Sequence, residues 1–175
     1  MPIDSTKEFK PINISVLTIS DTRTEDTDKS GQILAKKIKE KGHGLTHKQI
    51  VKDDKEEIKK ILLEWCNDKN VDVVLATGGT GLTGRDTTPE ALDEIKDKDI
   101  PGFGELFRLI SYKKIGASTI QSRAMAVLAK GTYIFALPGS TGAVTDAWED
   151  ILKFQLDSRF KPCNFIELIP RLNEK

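Results

Sequence analysis

The sequence predicts an α/β layered fold, and three observations carry the prediction. Short β-branched apolar runs alternate with stretches of roughly 10–15 residues whose apolar positions recur at helical spacing, the rhythm of βα units. Two of those runs, 71–76 and 132–137, are apolar almost throughout, as strands buried on both faces of a sheet must be. Three segments that follow strand runs, 20–31, 77–89 and 138–143, are rich in Gly, Ser and Thr. In open sheets, ligands sit beyond the carboxyl ends of the strands.

The elements follow in order. Ile12, Ile14, Val16, Leu17 and Ile19 mark a first strand over 12–19, short and rich in β-branched residues. A polar loop covers 20–28. A helix then begins near Ser30, with Ile33, Leu34 and Ile38 on one face, and Gly42 ends it. Residues 45–51 form a second strand. Either Asp53 or Asp54 caps the next helix, whose Ile58, Ile61, Leu62 and Trp65 recur at helical spacing. The run 71–76 is a central strand. Pro89 suits the first turn of a helix through Ala91, Leu92 and Ile95. The run 132–137 is another buried strand, followed by a helix carrying Ala147, Trp148, Ile151 and Leu152.

A chain of 175 residues suits one domain, since domains run about 50–250 residues. Residues 1–11 read as a flexible N-terminal segment and 12–175 as a single domain. Lys+Arg and Asp+Glu are equal at 27 each, so no net field draws the chain toward nucleic acid or an anionic membrane. No apolar run reaches the ~18 residues of a bilayer span. The opening residues carry Asp4, Lys7, Glu8 and Lys10 and lack the apolar stretch of a signal peptide. A cytoplasmic protein is expected. Cys66 and Cys163 lie outside any CxxC pattern and are expected to be reduced thiols. His43 and His47 flank a polar turn and a strand start, so both are expected at the surface without a catalytic role.

The densest signal is Thr77-Gly78-Gly79-Thr80-Gly81-Leu82-Thr83-Gly84-Arg85-Asp86-Thr87-Thr88-Pro89. Glycines let backbone N–H groups face a ligand with no Cβ in the way, and hydroxyls crowd around one carboxylate. The loop matches neither GxxxxGK[ST] nor GxGxxG, so those phosphate-binding mechanisms do not transfer. Asp86 reads equally as a cap for the helix opened by Thr88-Pro89 or as a ligand for Mg²⁺, which takes carboxylate and phosphate oxygens. Asp53 has the same two readings, with Asp54 available to cap in its place. Pro138-Gly139-Ser140-Thr141-Gly142 precedes a helix, where unpaired N–H groups and the dipole favour an anion, unless it is an ordinary turn. Ser20, Asp21, Thr22 and Arg23, with Asp28, Ser30 and Gly31, either contact a ligand or cap their own helix.

These residues together resemble the molybdopterin-binding adenylyltransferase family, whose members attach AMP to molybdopterin before molybdenum insertion. The likeness rests on Ile19-Ser20-Asp21-Thr22-Arg23, Asp28 with Ser30-Gly31, Asp53, Thr77-Gly78-Gly79-Thr80-Gly81, Arg85-Asp86-Thr87-Thr88-Pro89-Glu90-Ala91, Pro101-Gly102-Phe103-Gly104-Glu105 and Leu137-Pro138-Gly139-Ser140. It covers nearly the whole chain. Thr119-Ile120-Gln121-Ser122-Arg123-Ala124 and the ending Arg159-Phe160-Lys161-Pro162-Cys163-Asn164-Phe165 resemble its B-type branch.

The resemblance implies a three-layer α/β/α sandwich with a mostly parallel central sheet. It implies a homotrimer or a homohexamer built from two trimers, working beside other molybdenum cofactor assembly proteins. Mg²⁺, ATP and molybdopterin are the implied cofactor and substrates. Asp53 and Asp86 are the implied catalytic carboxylates and Mg²⁺ ligands. The implied binding set is Ser20, Thr22, Asp28, Ser30, Gly31, Thr77, Gly78, Gly79, Thr80, Gly81, Glu105, Pro138, Gly139, Ser140 and Thr141. Two positions depart from the family pattern: Lys52, where Pro is frequent, and Ser140-Thr141-Gly142, where adenylylating members carry a bulkier polar residue followed by Pro. That second departure leaves an alternative, a non-catalytic oligomeric carrier of molybdopterin or its precursor.

Overall fold

The computed structural model describes residues 3–174. Its centre is a six-stranded sheet in the order β2-β1-β3-β6-β5-β4. The strands are β1 (Asn13–Ile19), β2 (Gly44–Val51), β3 (Val73–Thr77), β4 (Lys98–Asp99), β5 (Met125–Ala129) and β6 (Thr132–Leu137). β1 pairs in parallel with β2 and β3, and β3 with β6. β5 runs antiparallel to both its neighbours. The sheet is therefore mostly parallel, as expected, with one reversed strand near an edge.

Side-chain alternation divides the apolar residues between two layers. On β3, Val73 and Leu75 face a cluster that includes Leu34, Ile38, Phe107, Val144 and Trp148. Val74 and Ala76 face the other, with Ile58, Leu62, Trp65 and Leu92. The first layer is built by α1 (Lys29–Lys41), α4 (Pro101–Ile115) and α5 (Thr141–Ala147), the second by α2 (Lys55–Asn67) and α3 (Thr88–Ile95). That is the three-layer α/β/α sandwich. Both β3 and β6 are fully buried along their lengths, which is why their sequences lack polar alternation.

Local signals set the helix ends. Asp28 caps α1 by accepting the Gly31 N–H at 2.9 Å. Asp54 caps α2, accepting from Glu56 and Glu57 at 3.0 Å each, which resolves the choice between neighbouring aspartates. The helix begun by α5 continues through a π turn, Trp148–Leu152, into α6 (Lys153–Gln155). Between α3 and β6 the chain also builds β4, α4, a 3-10 turn (Gly116–Gln121) and β5, for which the apolar pattern makes no prediction. α4 opens on Pro101 and Gly102, and it exposes Leu106 and Leu109 while burying Phe103 and Phe107. Apolar side chains on both its faces erase the stripe that reveals a surface helix.

Two expectations need correction. His43 is not a surface residue but is buried. Gly42, at φ 93°, ends α1 in the left-handed conformation, and the His43 N–H returns to the Ile38 carbonyl at 3.1 Å. This closure folds the residue after the glycine back onto the last turn. His43 then lies under Phe9, with ring centroids 5.0 Å apart. His47 is half-buried, stacked on Trp65 at 5.3 Å and 3.1 Å from the Asp68 carboxylate. The segment before β1, expected to be flexible, is tied down at several points. Ile3 bridges to Phe160, the Asp4 N–H donates to the Arg159 carbonyl at 2.9 Å, and the Lys10 N–H donates to Ser158 Oγ at 2.9 Å. Cys66 is buried and Cys163 exposed, both as free thiols; burial pushes the Cys66 thiol up to about 11.

Candidate functional site

The four parallel strands β2, β1, β3 and β6 end at the same edge of the sheet, and the predicted loops converge there. The turn after β3 is built on glycine. Gly78 and Gly79 have φ of 108° and 61°. A Cβ on Gly78 would sit 2.1 Å from the Ile19 carbonyl oxygen, and one on Gly79 would meet Thr88 Oγ1 at 2.4 Å and Asp53 Oδ1 at 2.9 Å. No other residue fits either position without displacing backbone or the buried carboxylate. The Thr88 hydroxyl donates to the Gly78 carbonyl at 2.9 Å, and Thr77 Oγ1 donates to the Pro138 carbonyl at 3.1 Å. The loops after β3 and β6 are thus locked to each other.

Asp86 lies on this loop and Asp53, from the turn between β2 and α2, packs against it, in contrasting settings. Asp53 is buried and accepts from the Thr87 N–H and hydroxyl, both at 3.3 Å. Its own N–H donates to Asp21 Oδ1 at 3.2 Å. Burial raises its carboxyl above the usual carboxylate range against the Thr87 bonds, and the nearby Asp86 and Asp21 charges add to the rise. Asp86 is half-buried and accepts from the Thr83 hydroxyl at 2.6 Å and N–H at 2.9 Å, both on Oδ2. The Thr83 hydroxyl holds it below the usual range and keeps it ionised. Neither aspartate caps through its own residue position: α3 is capped at Thr87, with no side-chain bond. Asp86 lies against Gly81, where a Cβ would approach Oδ2 to 2.7 Å. Each carboxylate therefore rests on a glycine of the loop.

Two cavities flank the loop after β6, and Gly139 and Ser140 border both. One, of ≈ 470 Å³, is polar and brings together Ser20, Thr22, Asp28, Ser30, Thr77 and Thr141, with Thr18, Arg23 and Lys29. The other, of ≈ 480 Å³, is lined by Gly78, Gly79, Thr80, Gly81, Asp86 and Pro138, with α4 and the 3-10 turn as its far wall. Asp53 sits behind Gly79. Gly31 backs the first cavity from within α1, where a Cβ would lie 2.2 Å from Asp28 Oδ2. Several of these polar groups are also structural. Ser20 Oγ accepts from the N–H groups of Thr22 and Arg23 at 3.2 Å each, Ser30 donates to the Gly139 carbonyl at 2.8 Å, and Ser140 accepts from the Ala143 N–H at 3.2 Å.

Glu105 is the one expected residue not brought to this cleft. It is exposed at the start of the second turn of α4, beside Arg108 in a separate cavity of ≈ 340 Å³. Sequence reasoning missed Phe107, Ser111, Thr119 and Ser122, which line the second cavity. They come from the region whose helix has no clear apolar stripe, so no periodicity marks them. Larger cavities of ≈ 540 and ≈ 590 Å³ lie elsewhere, away from the glycine loop and both aspartates.

Among the described residues no group of three or more His, Cys, Asp or Glu side chains is arranged to hold a metal ion. Among them, too, no helix is long and apolar enough to cross a membrane.

A family model described as "Probable molybdopterin binding domain" matches residues 15–158. Molybdenum cofactor biosynthesis protein B of Escherichia coli K12 is 49% identical over 158 residues, covering 90% of this chain and 93% of that protein. The Bacillus cereus protein of the same name is 50% identical over 144 residues, covering 82% and 85%. A crystal structure of molybdenum cofactor biosynthesis protein B matches with a TM-score of 0.86 at 43% identity, over 97% of this chain and all of that one (100%). The tungsten cofactor synthesizing protein MoaB of Pyrococcus furiosus matches with a TM-score of 0.74 at 36% identity, over 82% and 91%. By sequence and by fold, the chain belongs to the molybdopterin-binding domain family that contains the molybdenum cofactor biosynthesis B proteins.

Proposed function

We propose that this protein acts in molybdenum cofactor biosynthesis by adenylylating molybdopterin with Mg-ATP. The observation that carries the reading is two carboxylates in opposed environments, each packed against a glycine of one loop, beside a cleft divided at Gly139-Ser140. A two-part cleft suits a reaction that joins two ligands through their phosphates. The loop 77–81 and Asp86 serve the nucleotide side, and the polar cavity around Ser20, Asp28 and Ser30 serves the other substrate.

The nucleophile needs no general base. A phosphate monoester has its second pKa near ~6, so at neutral pH it is mostly a dianion. One of its oxygens forms a bond to the α-phosphorus of ATP. The bond from that phosphorus to the bridging β-phosphate oxygen breaks, and the electron pair leaves on pyrophosphate. The protein must hold the two phosphates in line and neutralise charge developing on the leaving group.

Asp86 and Asp53 fit the donor set of Mg²⁺, which takes one or two carboxylates and completes its shell with water and substrate phosphates. Bound there, the cation would supply that neutralisation. The Thr83 bonds keep Asp86 ready in its charged form. A cation would also offset the burial and the like charges that raise Asp53.

A homotrimer or homohexamer is part of the proposal. Leu106, Leu109 and Tyr112 stand exposed three residues apart on α4, with Ile115 and Ile120 beyond them. A second reading, a non-catalytic carrier of molybdopterin or its precursor, is favoured by the loop 138–142. There Ser140 is engaged as a cap, and Gly142 stands in open space, where the family pattern has larger groups. One assay separates the two: pyrophosphate release from purified protein with molybdopterin, ATP and Mg²⁺. Release well above an Asp86→Asn control supports the enzyme; release equal to that control, with pterin still bound, supports the carrier.

A further inference from the structure

Arg123 lines neither cavity, yet it grips the loop that carries Asp86. It sits just before β5, and 28% of its side chain is exposed. Its backbone N–H donates to the Thr80 carbonyl at 3.3 Å. Its Nε donates to the Gly81 carbonyl at 2.7 Å, and its Nη2 donates to the Asp86 carbonyl at 2.8 Å. Nη1 pairs with the Glu90 carboxylate in the first turn of α3. The guanidinium thus spans the two ends of the excursion 81–86.

Within the excursion the remaining bonds are local, between Thr83 and Asp86. Leu82, Thr83, Gly84 and Arg85 are all exposed, and a Cβ on Gly84 would meet nothing. Its other outside tether is the Arg85 fork on Asp21, at 2.7 and 3.0 Å, an ion pair between exposed side chains that salt screens, and it holds residue 85 without reaching either end of the excursion. The planar fork of an arginine can bond two carbonyls at once, which a lysine ammonium on its flexible stem cannot reproduce.

We propose that Arg123 is a positioning residue for Asp86, fixing the backbone on both sides of the carboxylate and so its place over Gly81. It lines neither cavity. The proposal rests on the assignment of Asp86 as a cation-binding carboxylate, and its test separates the two claims.

Three variants are compared with the wild-type protein: Arg123→Gln, Arg123→Lys and Glu90→Gln. Two measurements are made on each: Mn²⁺ affinity with ATP present, by electron paramagnetic resonance, and hydrogen exchange of the amides in 82–87. Pyrophosphate release is followed as a third. Loss of a group that orients a metal ligand typically weakens metal binding by about 10–100-fold. Arg123→Gln and Arg123→Lys are expected to weaken Mn²⁺ by ~10-fold or more and to speed exchange in 82–87. Glu90→Gln keeps both carbonyl bonds and is expected to stay within about twofold on both, well below that loss. Wild-type Mn²⁺ affinity and exchange in Arg123→Lys would overturn the proposal, and so would an equal loss in Glu90→Gln. Should Arg123→Gln fail to fold, Arg123→Lys, which keeps the charge, decides by the same readings. If the wild-type protein binds Mn²⁺ but releases no pyrophosphate, adenylylation fails while the two binding readouts still judge Arg123.

Discussion

The two edges of the parallel sheet are built on opposite terms. At the carboxyl edge, glycines hold left-handed turns, two carboxylates lie close enough to feel each other, and hydroxyls face open cavities. At the amino edge, charges are matched and sealed. Asp157 is completely buried and accepts from Lys41 at 2.7 Å and from Arg159 through two nitrogens at 2.9 Å each. Asn13 starts β1 with its N–H on the Asp72 carboxylate at 2.8 Å, and His43 lies neutral beneath Phe9. The contrast indicates where stability is held and where it is given up for chemistry. Perturbing the carboxyl edge should cost function with little loss of stability; perturbing the amino edge should do the reverse.

The largest effect expected is on turnover. Asp86→Asn should lower pyrophosphate release by at least ~10²–10³-fold, as loss of a group that stabilises transition-state charge does, while nucleotide still binds weakly. Its melting temperature should stay close to wild type, because the side-chain bonds of Asp86 go to the exposed Thr83. Activity recovering at high pH, or a wild-type Mg²⁺ requirement, would show that Asp86 does not act through the cation. Asp157→Asn is the mirror experiment. Removing one member of a buried ion pair typically costs ~3–5 kcal/mol, and the partial exposure of Lys41 and Arg159 places this case near ~3. Chemical denaturation should show that loss with kcat unchanged.

The same division governs what the sequence reveals. The central strands are legible because burial on both faces demands unbroken apolar runs, as in Val73-Val74-Leu75-Ala76. The cap at Gly42 is legible because its chemistry is local. The cleft was legible where glycines and hydroxyls cluster after a strand. Asp53 and Asp54 could not be ranked, since both suit an N-cap and only the three-dimensional closeness of Gly79 and Thr87 separates them. His43 was misjudged because a polar residue after a helix-ending glycine looks solvent-facing; the reversal at Gly42 and the cover from Phe9 are contacts that no periodicity encodes. The α4 wall of the cleft is silent for a related reason. Its outward apolar residues hide the amphipathic stripe, and Glu105 lies on that helix at a separate cavity, away from the cleft.

His43 sharpens the comparison by pH. Burial, reinforced by the Lys41 charge and opposed by Asp157, pushes its imidazole down to about 4 from an ordinary 6.5. In the unfolded chain the ring takes up a proton as pH falls through 6.5, whereas in the folded protein it resists until about 4. The unfolded state therefore binds more protons in this window, and stability falls on acidification across it. At ~1.4 kcal/mol per pH unit, the full loss is at most about 3.5 kcal/mol. His43→Gln should flatten the denaturation free energy between these two pH values. Acid sensitivity persisting unchanged in that variant would assign the effect elsewhere. Below that window Asp157 takes over. Burial alone would raise its carboxyl, but the Arg159 and Lys41 bonds outweigh burial and lower it. Its stabilisation is present above an unfolded value of 3.8 and is lost as pH drops toward its depressed folded value.

The smallest effects distinguish two glycines of one loop. Gly79 has φ 61°, and its Cβ would meet Thr88 Oγ1 at 2.4 Å and both Asp53 oxygens within 3.0 Å. Gly79→Ala should therefore cost about 1–3 kcal/mol in backbone strain and displacement. Because the displaced group is Asp53, cation affinity should fall with stability, making this the one carboxyl-edge change that moves both. Gly84, on the exposed tip with open space around it, should accept alanine within about 0.5 kcal/mol. Equal tolerance at the two positions, read by melting temperature and Mn²⁺ binding, would mean that the loop does not hold Asp53 as the geometry requires. A large loss at Gly84 would mean instead that the tip closes onto something, and that the strained part of this edge extends beyond the glycines at 78 and 79.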